Sequence, residues 1–290
     1  MVTRAGARIL FDVNMQPDTG AHLTICRPAR IQALCAMALA LLLQGGVTSA
    51  WGQQRSPIAR AGPVPHDVRP QVQLFQCGNF QGHFGPMDYR KAHKQDIRLV
   101  EAWHFDAELG MFMRGQEEGR TKAGTTHATS GFQYTLKSFP NHPVALMVME
   151  QAARKKKTEQ PSADYPMECW YVRAFMIAPD DPIVRAFYGV YLAHRNRPEE
   201  ARHNLDIADK GLRYSRTMQH ILGETRLVLK DHERAQLHAM RAAQLGFRGQ
   251  DVEKALRAAG QWKEDLTLPD EPLDADEVAA PASAASASDN

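Results

Sequence analysis

Only four cysteines occur in the 290 residues, at positions 26, 35, 77 and 169, and no two share a C-x-x-C spacing. That excludes a zinc ribbon or a thioredoxin-type dithiol, which need two thiolates about one turn apart. Twelve histidines are present, but none in an H-E-x-x-H or paired-histidine spacing, so no metal site is expected. The segment GRTKAGT at 119–125 has a lysine without the P-loop spacing, and G-x-S-x-G is absent. No cofactor is therefore expected. The longest apolar run, 31–43, is interrupted by Gln32 and falls short of the roughly 20 residues of a membrane helix. There is no arginine-rich helix, zinc knuckle or aromatic RNA-binding motif, so nucleic acid is not expected as a partner.

Hydrophobic residues make up 43% of the chain and charged residues 23%, enough apolar surface for a sizeable core. The net charge of +2 hides an asymmetry: 264–290 holds eight acidic residues and no Lys or Arg, so the body before it is mildly basic.

Arg27 and Arg30, the apolar run, a Gly-Gly break and the small residues of VTSAWG follow one another in the order of a secretory signal peptide. Residues 1–52 read as that signal, with cleavage after Ala50 or Gly52, and an uncleaved anchor helix is the alternative. The start codon could be Met15. Localisation is then periplasmic or secreted, and only Cys77 and Cys169 survive cleavage. In an oxidising compartment they are a candidate disulfide. Two buried free thiols are the bland alternative. A Cys77 nucleophile with His83 as base is the enzymatic one.

Residues 53–72 are rich in Pro and Arg without apolar periodicity and predict an extended, mobile leader within an irregular segment, 53–99. The tail 264–290 ends in AAPASAASASDN and predicts disorder.

Between these ends lies an internal repeat. Tyr188-Gly189 matches Leu222-Gly223, Ala201 matches Ala235 and Ala208 matches Ala242, each at an offset of 34 residues. A polar break separates each Gly from the first Ala, so each copy reads helix, turn, helix. Small residues at those places let two helix axes approach, and bulky ones such as Tyr188, Leu192, Leu205 and Leu222 fill the space between. Pro140-Asn-His-Pro143 echoes Pro179-Asp-Asp-Pro182 at an offset of 39, each ending one helix and starting the next. The extra residues fit a longer loop at 155–166. Glu150 stands where the glycine would fall, which predicts a splayed hairpin. An earlier hairpin spans about 106–139, with a Gly- and Thr-rich connection at 119–131. The segment DVEKALRAAG at 251–260 reads as a capping helix.

These residues resemble the tetratricopeptide repeat, whose pattern sets a large apolar residue before Gly, then Ala, a bulky residue, Ala and Pro. The copy at 180–213 matches best. In the copy at 214–247, Ala239 replaces the bulky residue and Phe247 the proline. Cys77-Gly78 and Gly85-Pro86-Met87-Asp88-Tyr89 further resemble a segment preceding the repeats in bacterial exported proteins of this kind. The resemblance covers about 75–262. It implies an all-α fold, a right-handed α-solenoid of stacked helix hairpins over 100–263, and an exported compartment more than any activity; the function expected is that of a protein-binding scaffold and not of an enzyme. The first helix of each unit then lines a concave groove for another protein's peptide or helix. Met147, Gln151 and Arg154 would come from one unit, Ile183, Ala186, Val190 and His194 from the next, and Thr217, His220, Glu224 and Leu227 from the last. A small-molecule pocket in a secreted factor is a third class.

Overall fold

The computed structural model describes residues 55–81, 84–121 and 124–269. The expected signal peptide, the proposed base His83 and the tail from 270 onward lie outside them. The described chain is mostly helical, with ten α-helices: α1 (Lys94–His104), α2 (Asp106–Met113), α3 (Ala128–Ser138), α4 (Pro143–Lys156), α5 (Met167–Ile177), α6 (Pro182–His194), α7 (Pro198–Leu212), α8 (Arg216–Val228), α9 (His232–Gln244) and α10 (Asp251–Ala258).

Helix starts follow local chemistry. Pro143, Pro182 and Pro198 open their helices, where a missing N–H costs nothing. His142 accepts from the Ala145 amide through Nδ1, and the Asp181 carboxylate accepts from the Ile183 amide, so each satisfies an otherwise orphaned donor. Helix ends repeat as well. Lys157, Asn196 and Lys230 are left-handed, with φ of 52°, 56° and 58°. Next to them the amides of Thr158, Arg197 and Asp231 donate to the carbonyls of Ala153, Leu192 and Arg226. α4, α6 and α8 therefore close with the same six-to-one hydrogen bond.

α6 packs along α7 and α8 along α9. Gly189 lies against the Leu205 side chain and the Ala201 carbonyl, and Gly223 against the Ala235 carbonyl and His238. α8 also meets α6 and α7, while α10 covers α8 and α9, setting Val252 and Leu256 against Ala235. α4 touches α3, α5 and α6, and α1, α2 and α3 pack together. Phe132, Leu136, Trp170, Tyr171, Phe175, Tyr188, Leu192 and Leu222 form the fully buried core.

Three features depart from the reading of the sequence. The 119–131 connection holds an antiparallel two-stranded ribbon, β1 (Glu118–Thr121) and β2 (Gly124–His127), and α3 begins within it. α1 begins at Lys94, inside the stretch expected to be irregular. The segment 55–72 is extended as expected, but it is docked and not a free leader. The Ser56 amide donates to Asp96, the Gly62 amide donates to the Met176 carbonyl, and Val68 is buried. Apolar periodicity could not announce this, because much of the holding is done by side-chain charges and backbone groups.

Candidate partner-binding face

The eleven expected lining residues occupy α4, α6 and α8 at successive spacings of three and four, which place each set on one helical face. Met147, Gln151, Arg154, Ile183, Val190, His194 and Glu224 are half-buried, and Thr217 is exposed. His220 is buried, stacked on Phe247 with ring centroids 4.2 Å apart, and its Nε2 lies 3.4 Å from Glu224. His220 is thus a packed residue that orients Glu224. Ala186 is also fully buried.

Arg154 and His194 meet across α4 and α6, with Nη1 3.2 Å from Nε2. An arginine can only donate, so His194 is neutral there and accepts. Burial pushes the His194 imidazole down to about 4, and the Arg154 and Arg195 charges push the same way.

Beside this pair lies a cluster that the sequence showed only as an anomaly, Glu150 at a glycine position. Its Oε1 receives Arg195 at 3.2 Å and lies 3.4 Å from Nε of Arg154. Arg195 also binds Glu159 and lies over the Tyr191 ring, whose hydroxyl donates to Glu159. Burial drives the Glu150 carboxyl up to about 7 against the pull of both arginines. Glu150 Oε2 and the Tyr171 hydroxyl are buried and have no hydrogen-bond partner among the described residues. The cluster can take up a proton near neutral pH, next to two residues of the expected face.

Cys77 and Cys169 form a disulfide, S–S 2.13 Å. Their sulfurs pack with Val172, and Val64, Val72, Tyr165 and Met176 surround them. Bonded to Cys169, Cys77 carries no thiolate. The neighbouring Arg173 donates through Nη1 to the Cys77 and Asn79 carbonyls and lies between the Phe80 and Tyr165 rings. It holds the disulfide-bearing turn (Leu74–Cys77, a 3-10 helix) against α5.

A second group of charges clamps the segment 55–72. Arg185 binds both Asp67 carboxylate oxygens, at 2.8 and 3.0 Å, and His203 lies 3.0 Å away. Burial works to raise the Asp67 carboxyl, but these bonds win and hold it at about 2. Glu168 accepts from the Gln71 and Val72 amides and from the Tyr188 hydroxyl, and also pairs with Arg197.

No helix among the described residues is long and apolar enough to cross a membrane, and no three His, Cys, Asp or Glu side chains there gather as a metal site. No family model matches the chain, and no curated protein and no solved structure matches it.

Proposed function

We propose that the helices stack as a right-handed α-solenoid of the tetratricopeptide type, and that the protein is a scaffold of the periplasm or cell envelope that holds another protein. The observation that carries this reading is the recurrence of one structural unit at the period of the sequence. α6 and α8 start 34 residues apart, as do α7 and α9, the left-handed residues Asn196 and Lys230, and the close approaches at Gly189 and Gly223. Units of this kind bury their faces against neighbours and leave the first helices to line an extended surface. On that surface Met147, Gln151, Ile183, Val190 and Thr217 offer half-exposed or exposed groups of mixed polarity, which suit a peptide or helix laid along them. Arg154 and Glu224 add charges of opposite sign toward its two ends.

Site-specific photo-cross-linking in intact cells tests the reading. Photoreactive residues at Gln151, Val190 and Thr217 are expected to trap one and the same protein, while one at Arg257 on α10 traps none. Equal adducts from all four positions, or none from the first three, would overturn it.

A further inference from the structure

We propose that the surface formed by α5, α6 and α7 is a peptide-accepting site, occupied in cis by residues 62–72, and that in trans it takes an extended peptide carrying one acidic side chain. This surface is separate from the α4–α6–α8 face, so the cross-linking outcome there does not decide it.

The contacts follow the pattern of peptide recognition. Most are to backbone. The Met176 carbonyl takes the Gly62 amide at 2.7 Å, Glu168 takes the consecutive amides of Gln71 and Val72 at 2.9 and 3.1 Å, and Arg197 donates to the Arg69 carbonyl at 2.7 Å. Groups that read only the backbone accept many sequences. One slot is selective: Arg185 grips the Asp67 carboxylate bidentately, a geometry that a planar guanidinium offers to a carboxylate and to few other groups. Val64 and Val72 then pack into the apolar floor made by Cys169, Val172 and Met176.

The receiving groups are built into the helices and buried. Glu168 is 2% exposed, Arg185 6% and Arg197 9%. These exposures include the cover of the segment itself; removing it would take two donors from Glu168 and the counter-ion from Arg185. The surface is therefore matched to an extended occupant. The segment 55–72 supplies one, with Gly62, Val64, Asp67, Val68 and Val72 turned in while Ala61, Pro63, His66, Arg69 and Gln71 stay exposed. Val72 lies five residues before the disulfide at Cys77, so the occupant is tethered covalently close to the site at its C-terminal end. Such a tether gives an effective concentration of about a millimolar, which a free peptide must overcome.

The test uses the full chain and a fluorescent synthetic peptide of residues 60–73. Asp67→Arg sets two guanidinium groups against each other and loosens the tethered occupant. The peptide is expected to bind Asp67→Arg at least tenfold more tightly than the parent protein, and Arg185→Ala added to that variant should weaken it about tenfold again. In the parent, millimolar peptide should speed hydrogen exchange at the Gly62, Gln71 and Val72 amides, an outcome that stands even if Asp67→Arg fails to fold. Absence of peptide binding to folded Asp67→Arg, binding indifferent to Arg185, or exchange unchanged at saturating peptide would each show that the segment is a fixed part of the fold and overturn the proposal.

Discussion

A methyl group added to Gly189 would sit 2.8 Å from the Leu205 side chain, whereas one added to Gly223 meets nothing closer than the Ala235 carbonyl oxygen at 3.3 Å. Glycine in a helix costs about 1 kcal/mol relative to alanine, so relief of that cost competes with the clash at each site. Gly223→Ala should be neutral or mildly stabilising. Gly189→Ala should gain less, and Gly189→Leu should lose about 1–3 kcal/mol through overpacking of a fully buried site. Urea unfolding of the three variants checks the order; equal midpoints for the two alanine variants would show that the approaches are not as unequal as drawn. These positions were legible in the sequence because a close helix crossing admits only the smallest residues, and the 34-residue offset shows both at once. Glu150 was legible as a misfit but not as the centre of a cluster. Its partner Arg195 lies 45 residues away, and nothing local announces that two chain segments bring opposite charges together.

At the scale of elements, the joint between α4 and α6 holds two titrating groups of opposite tendency. Glu150 is raised to about 7, so its contribution to stability is fully present below the ordinary carboxylate value of 4.5 and is lost as pH rises toward 7. His194 is lowered to about 4, so its contribution is present above 6.5 and is lost as pH falls toward 4. Between about pH 4.5 and 6.5 the two slopes oppose each other. Relative to the parent, Glu150→Gln should lose stability more steeply as pH falls from 6.5 to 4.5. His194→Gln should lose less, or gain. Chemical denaturation at three pH values in that window reads both differences, and parallel curves would refute the pairing. Most helix boundaries could be read from the proline pairs and polar breaks, since each marks where a helix can start or must stop. The ribbon β1–β2 could not, because its Gly- and Thr-rich strands lack apolar alternation and look like a loop. The docking of 55–72 was equally hidden: Asp67 reads as an exposed loop residue until Arg185, 118 positions on, is placed beside it.

For the molecule as a whole, the Cys77–Cys169 bond ties the N-terminal segment to α5 across a sequence separation of 92. In the chain-entropy account a closure of that size stabilises by about 4–5 kcal/mol. Replacing both cysteines by serine should lower unfolding stability by that order and increase exchange at the Gln71 and Val72 amides, which sit next to the bond. A double variant that unfolds at the parent's urea midpoint would show that the turn at 74–77 is held by Arg173 and its aromatic neighbours alone. The same bond has a mechanical meaning. If the protein is stretched from its two ends, tension reaches position 77, crosses the sulfur bridge to 169 and continues, so the residues between are never loaded. That bypass withholds on the order of 300 Å of extensible chain, taking about 3.4 Å per residue. Under load, α1 to α4 and the ribbon, inside the loop, would carry no tension, while the segment before Cys77, most of α5 and α6 to α10 would be the parts that lengthen.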